Sequence, residues 1–408
     1  MHHEGRHTTA DACPHPEAHR RTGPRTSDPA PRASVALDDD GVWRVRGVDP
    51  ARQVLRSTAT TQAGFQADSI RASLTMIDDP MLFLEGPAHR ELRTATARFF
   101  TPKAVASYED MIAAYAEELI EDLRAAGSAD LSDLSMRLSV RVAAEVVGLT
   151  NSPTAGLARR LDAFFSLEPI NPRTRLRPSS LKALAVAQLH TARFFIQDVL
   201  PAIRARRRQP QDDLISHLIS REYSNLAILT ECITFAAAGM VTTREFICAA
   251  AWHLLEDPEL HATYTGGDQA ARTRLLHEIL RVEPVVGTLH RRTTAPLSIT
   301  LEGYSVTIPA GDLVEVDIHA SNDDPTCVAA PADVVWPDRA RTSGVKPYGL
   351  SFGDGIHMCP GAFIAIEETD IFLTRLLSLE QLQLVQEPEL GRNEVVQGYE
   401  IRDLRVMV

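Results

Sequence analysis

The stretch SFGDGIHMCPGAF, residues 351–363, decides how the rest of the chain is read. Gly353 and Gly355 open backbone conformations closed to other residues, so the chain can curl back on itself just before Cys359. Pro360 and Gly361 follow, and proline suits the first turn of a helix, which GAFIAIEETDIFLTRLL then continues. Cys359 is therefore expected at a helix N-terminus, where unpaired N–H groups favour a thiolate. Three readings compete: a small buried thiol in a tight turn, a cysteine nucleophile served by His357, and a haem ligand. A separation of two residues is awkward for a nucleophile and its base, and no third, orienting group follows.

Outward from this loop the pattern is mainly α with small β-sheets near both ends. Residues 108–127, YEDMIAAYAEELIEDLRAAG, repeat apolar side chains at three and four spacing and stop at a glycine. Residues 181–208 read similarly until Pro201, where the helix is expected to be interrupted. Residues 225–260, NLAILTECITFAAAGMVTTREFICAAAWHLLEDPEL, lack a polar face and predict a helix buried through the centre. ASVALDDDGVWRVRG, residues 33–47, predicts a hairpin around Asp-Asp-Gly. After about residue 295, LSITLEGYSVTIPAGDLVEVDIHA alternates and turns like a small sheet. No linker divides residues 35–408, so one domain is expected behind a flexible leader, residues 1–34.

Bulk properties narrow the function. With 408 residues, 44% apolar and 24% charged, the chain can bury a large core. A net charge of −12 argues against a nucleic-acid binder that neutralises many phosphates. The His-, Pro- and Arg-rich leader has no apolar signal core, and no run approaches the roughly 18 uninterrupted apolar residues of a membrane span. Five scattered cysteines, Cys13, Cys232, Cys248, Cys327 and Cys359, contain no Cys-x-x-Cys pair and suit reduced thiols in the cytoplasm.

Phe352, Gly353, Gly355, His357, Cys359 and Gly361 fill, position for position, F-G-x-G-x-H-x-C-x-G, and the loop thereby resembles the signature of the cytochrome P450 family. The resemblance implies the cytochrome P450 fold, with a long central helix beside haem b, iron protoporphyrin IX. It makes Cys359 the axial thiolate, the one metal ligand, and brings His357 towards a haem propionate. A thiolate pushes electron density onto iron and favours O–O cleavage. Upstream, Glu278 and Arg281 look like the family's E-x-x-R pair, structural behind the haem, with Arg339 as third partner and Arg341 as a weaker candidate. Alone, such an i, i+3 pair is a common surface feature. EGPAHRELR resembles the P-x-H-x-x-x-R stretch, in which His89 and Arg93 would share one helix face and meet the propionates. LHRRTTAP offers Arg291, or alternatively Arg292, as a further propionate partner.

FAAAGMVTTREF, residues 235–246, resembles the family's oxygen-binding motif. Gly239 in a helix interior costs about 1 kcal/mol relative to alanine, and a groove for dioxygen is one reason to keep it. The competing reading starts a new helix here, with Thr242 to Glu245 as a capping box. Thr242 and Thr243 keep the motif's hydroxyls, but Val241 stands where an acid is usual. Either Glu245 substitutes through water, or the substrate supplies the polar group, or turnover is slow and partly uncoupled. Val241 is also expected to join Phe235, Ala238, Val285 and Val286 in an apolar substrate pocket. Two further departures are Asp323, in NDDP where the family often has Asn-Arg-Asp-Pro, and Ile366 in the ligand helix. Pro360, lacking an N–H, removes one donor that could point at the sulfur.

The resemblance implies a monooxygenase that inserts one oxygen atom from O2 into a small, largely apolar, secondary-metabolite-like molecule. With no flavin or iron–sulfur module in the chain, electrons would come from a ferredoxin and its reductase. Arg90, Arg98 and Lys103 are candidates for docking the ferredoxin, or simply a solvated helix face. A monomer acting without nucleic acid or membrane is expected. Oxidative coupling or rearrangement, and haem binding without turnover, stay open as alternatives; a cysteine hydrolase is the reading without haem. Residues 60–77 and 164–181 are expected to shape substrate choice, the latter rich enough in Pro and Arg to meet an acidic group.

Overall fold

A computed structural model describes residues 18–23, 33–65, 67, 79–152, 156–160 and 178–408. Segments 60–77 and 164–181 thus fall mostly outside the described residues, as do Cys13 and most of the leader. The fold is mainly helical with small sheets. β1 (Val35–Leu37) and β2 (Trp43–Val45) form the hairpin, Val35 opposite Val45. They join β3 (Thr60–Gln62), β4 (Thr288–Thr293) and β5 (Leu313–Asp317) in the order β1-β2-β5-β4-β3, with β2 and β5 parallel. A sheet built from both ends of the chain therefore carries α1 (Val48–Arg56), whose buried Val54 and Leu55 pack on it.

The helices that frame the site follow from apolar spacing and capping. α2 is Gly86–Ala97. α3 (Glu109–Ala126) buries Ile112, Ala116, Leu119, Ile120 and Leu123 on one face and ends at Gly127, φ 73°. α4 (Leu131–Val147) starts where the Asp130 side chain accepts from the Ser132 N–H. α5 (Asn225–Glu256) is one helix of 32 residues, the only one among the described residues long and apolar enough to cross a bilayer. Its second half is a core helix, with Phe246 to Ala251 and Leu254 buried against α3, α4, α6 (Gln269–Val282) and α7 (Ala362–Leu376). No second helix starts at Thr242: residues 237–241 widen into a π turn, Val241 stays right-handed helical, and no side chain caps the position.

Pro201 does not interrupt its helix. The turns Pro178–Phe194 and Leu200–Arg208 are joined by a π turn, Phe195–Val199, which accommodates a residue with no N–H to give. Part of the expected flexible leader is packed. Ala18 is fully buried, and Arg20, 1% exposed, holds Asp323 through both guanidinium NH2 groups at 2.7 Å while its Nε donates to the Val282 carbonyl at 2.6 Å. Arg21 N–H and Thr22 N–H both donate to Glu283.

Candidate active site

The cysteine loop is pinned from three sides. Asp354 accepts from the Gly355 N–H at 2.8 Å and pairs with Arg56 at 2.9 Å and Arg52 at 3.4 Å, tying the loop to α1. Gly355 has φ 70°, and a Cβ there would lie 2.3 Å from the Leu55 carbonyl oxygen, so only glycine fits. The Cys359 N–H donates to the Phe352 carbonyl at 2.8 Å, closing the turn, and Gly353 adopts φ 69° inside it. The regular helix begins only at Ala362, with Gly361 as its N-cap. Burial raises the Cys359 thiol above its ordinary range, with the Gly361 N–H and Arg93 opposing, so the helix start alone does not make a thiolate. A cation at the sulfur is what tips it to the anion.

Cys359 opens onto a cavity of about 220 Å³ that α5 bounds as well. Phe235, Ala238, Gly239, Thr242 and Thr243 line it from α5, and Val285 and Val286 from the segment after α6. Phe352, Gly353, His357 and Gly361 line it from the loop, and Arg291 from β4. Phe235 stacks on Phe100, ring centroids 5.4 Å apart and within 4° of parallel, making one wall aromatic. A Cβ on Gly239 would find only the Ala143 Cβ, at 4.0 Å, so this glycine leaves room rather than relieving a clash. Thr242 Oγ1 donates back to the Ala238 carbonyl.

Two residues of the central motif lie elsewhere than the sequence leads one to expect. Val241 is 2% exposed and packs with Val140, Ala144 and Met240 in the core instead of lining the cavity, because the π turn rotates it away. Glu245 is fully buried and committed: Oε1 accepts from Arg244 and Arg402 at 2.8 Å, Oε2 from the Ile401 N–H at 2.7 Å. With both oxygens taken by two guanidiniums and a backbone donor, Glu245 ties α5 to the C-terminal strand and does not line the cavity.

The polar partners suit a dianionic guest. Among the described residues Arg291, 3% exposed, reaches only the Gln62 amide and the His290 carbonyl, and burial pulls it down to about 10, with Glu85 opposing. His357 Nε2 meets Glu85 at 3.0 Å, and its ring lies 4.5 Å from that of His89. His89 and Arg93 stand one layer back, behind His357 and on the Met358 carbonyl respectively. The His89 Nδ1 is buried without a hydrogen-bond partner among the described residues, and burial, His357 and Arg93 push that imidazole down to about 4. Buried, under-partnered donors around a largely apolar cavity that a cysteine lines fit a haem with two propionates.

Glu278, Arg281 and Arg339 meet in a fully buried cluster: Arg281 holds both Glu278 oxygens at 2.8 and 2.9 Å and the Arg339 Nε sits 2.7 Å from Oε1. Arg341 joins it, 2.8 Å from Oε2, while Arg292 turns outward to the Gly311 carbonyl. Burial alone would raise Glu278; the three guanidiniums hold it below the usual carboxylate range. Glu368 is a cavity residue the motifs do not name: 4% exposed, it accepts among the described residues only from Ser139, at 3.0 Å, and burial pushes it up to about 8. Its signal was positional, since Ile364 and Ala365, four and three residues before it on α7, line the same wall.

A helical fold that sets a cysteine loop across a slot from a glycine-notched core helix defines the haem-thiolate class. The cytochrome P450 family profile matches residues 273–394. Over 301 residues, 71% of this chain and 70% of the relative, the sequence is 32% identical to the cyclomarin C epoxidase CymV of Salinispora arenicola. It is 30% identical over 302 residues, 73% of this chain and 72% of the relative, to the biotin biosynthesis cytochrome P450 of Bacillus subtilis. The solved structure of a mutant of P450 EryK in complex with erythromycin B matches with TM-score 0.72 and 26% identity, covering 92% of this chain and 93% of that one. The chain belongs to the cytochrome P450 family, a family of haem-thiolate oxidoreductases.

Proposed function

We propose that this protein binds haem b through Cys359 and acts as a monooxygenase on a largely apolar small molecule. The observation that carries the reading is a single cavity bounded by Cys359 on one side and by Gly239 and Thr242 on the other. Haem, when bound, supplies the activation of dioxygen for transfer of one oxygen atom. Around it, Arg291 and His357, which line the cavity, would hold the propionates, and Arg93 fixes the loop that carries the sulfur through the Met358 carbonyl. Because the Thr242 hydroxyl gives its proton to Ala238, its lone pairs are left to accept a hydrogen bond from a guest in the Gly239 notch. Phe235, Phe100, Val285 and Val286 exclude water and grip apolar substrate carbons.

The relatives' names, an epoxidase of cyclomarin C, a C-12 hydroxylase of erythromycin and an N-oxygenase of nocardicin C, support a secondary-metabolite-like substrate and oxygen insertion. Ile356 and Phe363, in the cysteine loop and at the start of α7, are exposed, as is Lys103, and exposed apolar and basic side chains of this kind suit an acidic ferredoxin served by its reductase. The first test is the spectrum of the purified protein, reduced under carbon monoxide. A strongly red-shifted Soret band is expected, as are spin-state shifts with apolar ligands from a diverse panel. A colourless protein, or a Soret band unaltered in Cys359→Ser, overturns the reading.

A further inference from the structure

Glu231 lies on α5, one turn before Phe235, at a second cavity of about 280 Å³ whose lining residues are distinct from those of the haem slot. Its carboxyl is 3% exposed. One oxygen accepts from the Met81 N–H at 2.8 Å; Oε2, equally buried, meets no donor among the described residues. A buried carboxyl oxygen left without a donor is costly, and such a group calls for a proton or a guest. Burial pushes Glu231 up to about 7, with the Met81 N–H opposing, so near neutrality it exchanges a proton readily for another cation.

The surroundings specify which cation. Leu84, Ala88, Leu92 and Ala227 make the walls apolar, and the Tyr223 ring lines the same cleft. Asp79 and Glu91 add acidic character, Glu91 being turned to Arg221 at 2.7 Å. An anion is repelled by this set, and a hard divalent ion such as Ca2+ or Mg2+ wants six or more oxygen ligands and zinc about four, whereas no group of three metal-ligating side chains occurs among the described residues. An organic ammonium matches all three features: its charge suits Glu231, its carbons the apolar walls, and a cation the aromatic ring in the lining.

We propose that the cleft floored by Glu231 is a binding site for a small organic ammonium, separate from the haem slot and independent of the substrate reading above. Occupancy has a route to the reaction. Met81 is hydrogen-bonded to Glu231, the next residue, Leu82, lines the haem slot, and so does Phe235 one turn along α5.

Choline tests this, because its quaternary nitrogen has no lone pair with which to coordinate iron, and 3,3-dimethylbutan-1-ol is its neutral isostere. Calorimetric titration of the haem-loaded protein should show saturable choline binding at pH 8 and no saturable binding of the isostere. Affinity should fall about tenfold at pH 6, where Glu231 is protonated. Glu231→Gln, whose amide oxygen can still accept from Met81, should lose choline binding at pH 8 while keeping the parent's unfolding temperature and haem spectrum. Equal affinity for choline and isostere, undiminished binding by Glu231→Gln, or no saturation up to about 100 mM, beyond useful small-ligand affinity, would each overturn the proposal.

Discussion

At the scale of single residues, the acid missing from position 241 does not leave the slot without a carboxyl. Glu368 lines it, buried and pushed up to about 8. At pH 7 it therefore holds its proton in the folded protein but loses it on unfolding, where a glutamate titrates near about 4.3. The unfolded state binds fewer protons across that window, so stability falls as pH rises from about 4.3 towards 8. A tenfold difference in proton affinity between the folded and unfolded states is worth about 1.4 kcal/mol, so Glu368→Gln should flatten this pH dependence by a few kcal/mol, read from chemical denaturation at pH 5 and pH 8. A protonated-carboxyl infrared band should disappear in the same variant; identical denaturation curves at both pH values would contradict the assignment. Val241→Asp is expected to do harm. Its side chain enters an apolar core cluster, and an unpaired buried carboxyl there costs about 2–4 kcal/mol, which a thermal melt would register without any gain in turnover.

At the scale of elements, the N-terminal strap explains the departure at Asp323. Where the family often has an arginine, this chain has an acid, and Arg20 from the leader brings the guanidinium to it. The connection continues inward: Arg281 sits 3.5 Å from Asp323, and the neighbouring Asn322 side chain accepts from Leu350 N and donates to Ser351 Oγ, at the root of the cysteine loop. Arg20→Ala leaves a mostly buried carboxylate with Arg281, at 3.5 Å, as its remaining cation, so a loss of about 1–3 kcal/mol is expected. Asp323→Arg alone should also destabilise, by setting a second buried cation beside Arg281. The exchange Arg20→Asp with Asp323→Arg should recover part of both losses, leaving a coupling of about 0.5–3 kcal/mol in a double-mutant cycle of unfolding free energies. Strictly additive losses would mean that the two side chains are neighbours without being partners. None of this was legible beforehand, because the pair is separated by 303 positions and the leader's composition reads as solvated. The helices were legible, since α3 and α5 announce themselves by apolar spacing; the π turns at 195–199 and 237–241 were not, since an i to i+5 turn leaves no periodic mark.

At the scale of the whole molecule, the haem slot is where separate parts of the core meet. Phe246 and Val285 belong to the cluster around α3, α6 and α7, Val146 and Phe235 to the cluster around α4, and Leu289 packs with the sheet. The loop and its glycines could be read from local sequence because backbone conformation is a local demand. Which cations reach the slot depends on tertiary register: Arg291 faces inward from β4 while Arg292, next to it, faces Gly311, as alternation along a strand requires once the sheet's inner face is known. Arg291 carries a buried charge that no carboxylate touches among the described residues, and burial lowers its affinity for the proton. That makes it a liability without haem and an asset with it, because a ligand that binds only the folded state adds its binding free energy to stability. Arg291→Met should therefore act with opposite sign on the two forms. The haem-free protein should melt higher, by about 1–3 kcal/mol of relieved desolvation, and the haem-loaded protein should melt lower and give up haem to apomyoglobin faster. Measuring both melting temperatures and the haem transfer rate decides it: destabilisation of both forms by the same amount would make Arg291 a structural residue of the sheet and not a partner of the cofactor.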